Sequence, residues 1–165
     1  MSSSTSKSVD NSALETFDLE RYLGRWYEIA RYDHKFESDL VGVSAYYSLR
    51  SDGKIEVLNS GYKYHLNGEY SQVKGKAKVP NPQKPAELKV AFFLFFYADY
   101  FVMEIDEDYQ WAVVGSRSDK FLWILARRPM LSPELYAHIL TRIEKRGYDS
   151  SKLILVEQKT TLPDN

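Results

Sequence analysis

The chain has 165 residues, which suits one domain with a substantial core. Its 22 basic and 23 acidic side chains nearly balance, which argues against a nucleic-acid-binding protein, because such proteins normally carry a basic excess. The chain has no cysteine, which excludes disulfides, thiolate metal sites, a cysteine nucleophile and a lipidated cysteine within these residues.

The first sixteen residues are predicted to be a flexible tail. They begin with a polar, serine-rich stretch over residues 1–8 and contain no apolar segment of the kind that a signal peptide needs. A processed or re-engineered N-terminus is an alternative that the sequence leaves open. The longest apolar run spans residues 90–98, and it is shorter than the roughly 20 residues of a membrane-spanning helix.

Turn signals divide the next part of the chain into short strand-like segments. Asp52-Gly53 and Asn67-Gly68 predict two-residue hairpins, because Asn, Asp and Gly accept positive φ. Strands are predicted over roughly residues 25–34, 42–50, 54–65, 70–79, 86–93, 100–106, 109–116 and 120–127. Eight antiparallel strands in a meander are typical of a sandwich or an up-and-down barrel.

One helix is predicted over about residues 132–147. Ser132 is a suitable N-cap, and Pro133 suits the first helical position. Leu135, Ile139 and Ile143 recur every four residues and form an apolar stripe, so we expect the helix to cover the outside of the sheet. A short final strand is predicted after the helix, and residues 159–165 are predicted to be a C-terminal tail.

Three separated motifs carry a family resemblance. Gly24-x-Trp26 opens the first strand, Asp108-Tyr109 opens the seventh, and Arg127 ends the eighth. A Trp-Tyr-Glu-Ile-Ala run at 26–30 and a Phe-Leu-Trp-Ile-Leu run at 121–125 accompany them. Together they resemble the lipocalin family, most nearly its bacterial lipocalin and apolipoprotein-D-like branch, over residues 17–158.

The resemblance implies an all-β calycin fold. We expect an eight-stranded antiparallel up-and-down barrel, open at one end, with one C-terminal α-helix packed on its side. It implies that Arg127 lies across Trp26 at the closed end, and that Gly24, Trp26, Asp108, Tyr109 and Arg127 are structural residues. The acylated cysteine that usually begins the mature bacterial proteins has no counterpart in this sequence, which puts membrane anchoring in doubt.

The function that the resemblance implies is binding and transport of a small hydrophobic ligand, such as a fatty acid or lysophospholipid, without enzyme activity or a cofactor. Lipid storage or maintenance of a cell envelope is the implied role, in a periplasmic, outer-membrane-associated or extracytoplasmic location. The aromatic run at 92–97 packs at the barrel mouth, or it contacts a membrane or a second subunit. For the oligomeric state, the sequence is compatible with both a monomer and a homodimer.

Period-2 alternation predicts which side chains line the barrel interior, if Trp26 points inward. The predicted cavity residues are Ala30, Ala45, Tyr47, Val57, Asn59, Val73, Ala77, Val90, Phe92, Trp123 and Leu125. The small residues among them leave space in a barrel that side chains could otherwise fill as plain core. The sixth strand is ambiguous, because Phe101 and Met103 form one apolar set while Tyr100 and Val102 form the other.

Glu28 is the notable acid predicted to face the interior. It is interpreted either as a hydrogen-bonded structural carboxylate or as a polar contact for a ligand head group. Glu28 is also the one candidate acid or base for the alternative function, an enzyme of the same fold that acts on an apolar substrate. An engineered small-molecule binder is a further alternative. No metal site is predicted, since His34, His65 and His138 lack the spacing of metal ligands.

Overall fold

Eight antiparallel strands close into a barrel in the computed structural model, which describes residues 8–93 and 96–159, without the side chains of residues 92, 93 and 96. A short helix α1 (Leu19–Tyr22) leads into the barrel. The barrel strands are β1 (Gly24–Tyr32), β2 (Leu40–Leu49), β3 (Ile55–Lys63), β4 (Tyr70–Lys78), β5 (Glu87–Phe93), β6 (Phe96–Ile105), β7 (Trp111–Gly115) and β8 (Leu122–Ala126). A helix α2 (Pro133–Lys145), a 3-10 turn (Ser150–Lys152) and a strand β9 (Leu153–Leu155) follow.

Strand β1 closes the barrel because it pairs on both of its edges. Each of the strands from β2 to β7 pairs with the next one in the chain, and β8 pairs with β1. The first half of β1 pairs with β2, from Gly24 opposite Tyr47 to Tyr27 opposite Ser44. Its second half pairs instead with β9, where Ala30 lies opposite Leu155. The predicted eight-stranded up-and-down barrel is confirmed, with β9 as an additional strand.

The predicted two-residue hairpins are wrong, because both connections are longer. Residues 50–54 join β2 to β3, and residues 64–69 join β3 to β4. Gly68 belongs to the second connection, where a Cβ would lie 2.0 Å from the carbonyl oxygen of Lys63. The glycine is therefore required for a close backbone approach within a wide loop, and not for the φ of a tight turn.

Two clusters of buried side chains lie on opposite faces of the sheet. The interior cluster takes residues from every barrel strand, including Trp26, Ala45, Val57, Ala77, Val90, Val102, Val114 and Leu125. The helix-side cluster joins Ile139 and Ile143 of α2 to residues of β1, β6, β7 and β8. The apolar stripe of α2 therefore covers the outside of the barrel, as its spacing predicts. Ser132 caps this helix by accepting a hydrogen bond from the Leu135 N–H at 3.2 Å.

The sixth strand alternates between the two faces of the sheet up to a β-bulge near its end. Tyr100 and Val102 lie in the interior cluster, while Phe101 and Met103 lie in the helix-side cluster. The register of β6 against β7 shifts between Val102 and Glu104. Because of this shift, the buried Glu104 side chain faces α2, where Arg142 and Arg146 donate to its two oxygens at 2.5 and 2.7 Å.

Residues 8–16 lie against the barrel, where the sequence predicted part of a flexible tail. The Asp10 N–H donates to the carbonyl of Arg146 at 2.7 Å, and the Leu14 N–H donates to the carbonyl of Val102 at 3.0 Å. The segment satisfies backbone carbonyls at the end of α2 and at the β6 bulge, and its polar composition does not reveal those acceptors. Residues 1–7 and 160–165 lie outside the described residues. None of the described helices is long and apolar enough to cross a membrane.

Candidate functional site

Trp26 and Arg127 close one end of the barrel. The Trp26 ring is fully buried, and its Nε1 donates to the carbonyl of Tyr22 at 2.7 Å. The Arg127 Cζ lies 3.8 Å from the ring centroid, a cation–π contact. Its guanidinium also donates to the carbonyls of Tyr109, Arg25 and Arg21 at 3.0, 3.0 and 2.7 Å. Arg127 thereby joins three segments of chain beneath the barrel.

The neighbouring motif residues hold the turn between β6 and β7. Tyr109 has a φ of 57°, and its hydroxyl accepts from the Asp18 N–H at 2.9 Å. The Asp106 carboxylate, and not that of Asp108, accepts from the Asp108 and Gln110 N–H groups at 3.3 and 3.1 Å. Gly24 has a φ of 103° as the chain enters β1. These contacts are structural in kind.

Exposure of the inward-facing side chains rises toward the opposite end of the barrel. On β3, Val57 is fully buried and Asn59 is only partly buried. On β4, Ala77 is fully buried, whereas Val73, which shares its face and lies opposite Asn59, is 37% exposed. On β8, Leu125 is buried and Trp123 is partly buried. Inward-facing residues that reach solvent mark this end as the opening.

Most of the predicted cavity residues lie together on the inner face. Ala45, Tyr47, Val57, Ala77, Val90 and Leu125 belong to the interior cluster, and Trp123 packs against it. Asn59 and Val73 share the face of Val57 and Ala77 nearer the opening. The side chain of Phe92 lies outside the described residues.

Ala30 does not face the interior, and this part of the prediction is wrong. It lies in the helix-side cluster with Ile29. The register of β1 against β8 shifts between Glu28 and Ala30, so that Ile29 and Ala30 together oppose one residue of β8. The bulge interrupts strict alternation and turns Arg31 inward, opposite Trp123. Nothing in the period-2 pattern of this strand indicates the bulge, so sequence reasoning missed Arg31.

Glu28 and Arg31 form a buried ion pair near the opening. Glu28 is 5% exposed and Arg31 is 2% exposed. Arg31 Nη1 donates to Glu28 Oε2 at 2.9 Å, and its Nη2 donates to the carbonyls of Glu37 and Leu40 at 2.7 and 3.1 Å. The guanidinium therefore ties the β1–β2 connection, residues 33–39, to the inside of the barrel.

Glu37 extends this polar cluster. Its Oε1 accepts from Trp123 Nε1 at 3.0 Å and lies 2.7 Å from His34 Nε2. The His34 ring packs edge-on against Phe121 and Trp123. The other ring nitrogen, Nδ1, is buried and has no hydrogen-bond partner among the described residues. We refer to Glu28, Arg31, His34, Glu37 and Trp123 as the mouth cluster.

The two carboxyl groups of the mouth cluster have pKa values shifted in opposite directions. Burial and the neighbouring Glu37 carboxyl raise the pKa of Glu28 well above its ordinary value, against the opposing effect of Arg31. Burial alone would raise the pKa of Glu37, but hydrogen bonds with His34, Glu28 and Trp123 outweigh it and lower that pKa. Burial and the Glu37 carboxyl thus oppose ionisation of Glu28, whereas its ion pair with Arg31 favours ionisation.

A second polar group lies deeper in the barrel. The Tyr100 hydroxyl oxygen is 2.5 Å from that of Tyr22 and 2.9 Å from that of Tyr47. Tyr22 packs on Trp26 with ring centroids 4.9 Å apart, so this group, the tyrosine chain, lies just above the closed end. Burial raises the pKa of all three phenols, that of Tyr47 to about 12. Of the three, sequence reasoning assigned only Tyr47 to the site.

Among residues 8–93 and 96–159, no group of three acidic or histidine side chains is arranged to hold a metal ion. The described site consists of an apolar interior with two polar groups, the mouth cluster near the opening and the tyrosine chain near the closed end. Such an interior suits an apolar molecule with a small number of polar atoms.

A model of the lipocalin-like domain matches residues 17–158. The chain belongs to the lipocalin family. The outer membrane lipoprotein Blc of Escherichia coli is 44% identical to this lipocalin over 147 residues, which are 89% of this chain and 82% of that protein. Apolipoprotein D of Mus musculus is 38% identical over 152 residues, with 87% and 78% covered. The resemblance of the motifs to the lipocalin family is confirmed, and so is the resemblance to its bacterial lipocalin and apolipoprotein-D-like branch.

A solved structure supports the same fold. Insecticyanin from the tobacco hornworm Manduca sexta superposes on this lipocalin with a TM-score of 0.72 over 91% of this chain and 85% of that one. The identity is 22%, so the likeness concerns the fold of the barrel and its helix. The lipocalin architecture thus accounts for the two ends and the inner face described above.

Proposed function

We propose that this lipocalin binds and transports one small hydrophobic ligand inside its barrel, with fatty acids and lysophospholipids as the candidate class. The observation that carries the proposal is the rise in exposure along the inner face, from the fully buried Val57 and Ala77 to Val73, which is 37% exposed. An inner face that is apolar and reaches solvent at one end can admit an apolar chain. Each buried CH₂ contributes roughly 0.8 kcal/mol, so a long chain binds without specific contacts.

The ligand lies along the inner residues of β2, β3, β4, β5 and β8. The lining residues that we propose are Ala45, Tyr47, Val57, Asn59, Val73, Ala77, Val90, Trp123 and Leu125. The small side chains of Ala45 and Ala77 leave space for the ligand in this proposal, while Trp26 and Arg127 support the closed end without touching it.

The mouth cluster offers no unpaired cation to a carboxylate head group. The Arg31 guanidinium is already engaged by the Glu28 carboxyl and two backbone carbonyls. An incoming carboxylate therefore meets the ionised Glu37 and finds no unpaired cation in the cluster. Glu28 acts as a structural partner of Arg31 in this proposal, and its role as an enzymatic acid or base is not required.

Native mass spectrometry of the purified protein, combined with titration of a fluorescent fatty acid, tests the proposal. We expect a bound lipid mass at one copy per chain and saturable binding at the same stoichiometry. Competition by lysophosphatidylcholine and by unlabelled fatty acid then distinguishes the two candidate ligands. No bound lipid together with no saturable binding would contradict the proposal.

A further inference from the structure

The tyrosine chain contains more hydrogen-bond donors than its own contacts use. Tyr22, Tyr47 and Tyr100 are 0%, 4% and 9% exposed. The three phenols carry three O–H donors, and they make two contacts with each other, both through the Tyr100 oxygen. In the described part of the chain, their hydroxyls have no other hydrogen-bond partner. Each contact consumes one proton, so one buried O–H donor is left over in every arrangement.

The packing determines which hydroxyl carries the spare donor. Tyr22 is enclosed by Phe17, Trp26 and Tyr47, with ring centroids 5.1, 4.9 and 5.6 Å away. A donor left unsatisfied there would cost about 1–3 kcal/mol. The favoured arrangement has Tyr22 donating to Tyr100, which leaves the spare proton on Tyr47 or on Tyr100 itself. All three side chains belong to the interior cluster, and those of Tyr47 and Tyr100 lie on the barrel strands β2 and β6.

We propose that the spare donor of the tyrosine chain is a ligand subsite, which binds a hydrogen-bond-accepting oxygen on the end of a lipid that enters the barrel first. The inference rests on the proposed function and narrows its ligand class to lipids that carry oxygen on the leading end as well as at the head. A plain methyl end leaves the donor unsatisfied, whereas a ketone, ester or ether oxygen satisfies it. Burial raises the pKa of the three phenols, so they stay protonated donors at neutral pH.

The test compares hexadecanoic acid with 15-oxohexadecanoic acid by isothermal titration calorimetry. The second probe differs by one acceptor oxygen near the chain end. In the unsubstituted protein we expect the two dissociation constants to agree within about threefold. A hydrogen bond from a phenol O–H to the ketone oxygen offsets the free-energy cost of removing that oxygen from water. The triple variant Tyr22→Phe/Tyr47→Phe/Tyr100→Phe removes every hydroxyl donor of the tyrosine chain and should weaken binding of the ketone about tenfold relative to hexadecanoic acid.

Two further variants separate a subsite from a purely structural role. In Tyr47→Phe alone, Tyr22 can still donate to Tyr100, whose own proton becomes the spare donor, so the ratio of the two dissociation constants should stay near that of the unsubstituted protein. The matched control Tyr46→Phe/Tyr64→Phe/Tyr70→Phe removes three hydroxyls from side chains that are 43%, 67% and 52% exposed, and should leave the ratio unchanged.

The outcomes are distinct. A ratio that the triple variant does not change would overturn the subsite, while leaving the proposed function supported by the binding of hexadecanoic acid. If water alone satisfies the spare donor, the ketone binds at least tenfold more weakly than hexadecanoic acid in all variants, which also overturns the subsite. Failure of the unsubstituted protein to bind hexadecanoic acid would overturn the proposed function and the subsite together.

Discussion

The guanidinium of Arg127 lies 3.8 Å from the centroid of the Trp26 ring while it donates to three backbone carbonyls. The two residues are separated by nearly the whole barrel in sequence, and they meet because β8 and β1 are neighbours. One side chain thus joins the lead-in helix, the first strand and the β6–β7 turn.

Replacement of Arg127 by Ala should destabilise the fold by about 2–4 kcal/mol, because three carbonyls lose a charged donor and Trp26 loses its cover. Urea unfolding followed by tryptophan fluorescence measures the change. The adjacent Arg128 is exposed and provides a matched control, for which we expect Arg128→Ala to stay within about 0.5 kcal/mol. Equal effects of the two substitutions would show that the closed end does not depend on Arg127.

Replacement of Glu28 by Gln should change how stability depends on pH. Because burial raises the folded-state pKa of Glu28, its contribution to stability is complete below its ordinary pKa of 4.5 and is lost as pH rises through the raised value. The amide cannot ionise, so the variant should gain stability relative to the unsubstituted protein as pH increases. Glu37, with a lowered pKa, contributes in the opposite sense and loses its contribution as pH falls.

Urea unfolding at intervals from about pH 5 to about pH 9 measures this difference. The control is Glu69→Gln, whose side chain is 76% exposed, and its stability curve should run parallel to that of the unsubstituted protein. If the Glu28→Gln curve is also parallel, then Glu28 is ionised throughout the range and the direction assigned to its pKa is wrong.

Replacement of Glu104 by Gln should loosen α2 from the barrel. The carboxylate is 7% exposed and binds Arg142 and Arg146, so its loss leaves the largely buried Arg146 without its charge partner. We expect a loss of about 2–4 kcal/mol, with faster amide exchange in α2 than in β3 and β4. Glu134→Gln, at an exposed position of the same helix, should change stability by only a few tenths of a kcal/mol. Uniform acceleration of exchange across the chain would argue against a local role.

Much of the barrel was predictable from the sequence, because the alternation of apolar and polar residues and the positions of turn residues both indicate where strands lie. The closed end was accessible for a different reason, since Trp26 and Arg127 belong to motifs that carry a family resemblance. The inner face of β1 was not predictable beyond Glu28, because the bulge at Ile29 and Ala30 reverses the alternation and brings Arg31 inward.

Two further features escaped the sequence because they depend on contacts between distant segments. Residues 8–16 have the composition of a tail, and their order comes from carbonyl acceptors on Val102 and Arg146. The tyrosine chain assembles from α1, β2 and β6, and the sequence pattern of β6 left the face of Tyr100 as one of two equal choices. Local sequence patterns do not indicate hydrogen-bond partners that lie tens of residues away along the chain.

The central claim, that a ligand occupies the interior of the barrel, is tested most directly by two substitutions at neighbouring positions of β4. Val73 faces inward near the opening, and Lys74, with a side chain 69% exposed, faces outward. Both are replaced by Trp, and the dissociation constant of a fluorescent fatty acid is measured for each folded variant. We predict that Val73→Trp weakens binding at least tenfold by filling the entrance, a change of about 1.4 kcal/mol, while Lys74→Trp stays within about twofold. Equal affinities in the two variants would contradict a ligand site inside the barrel.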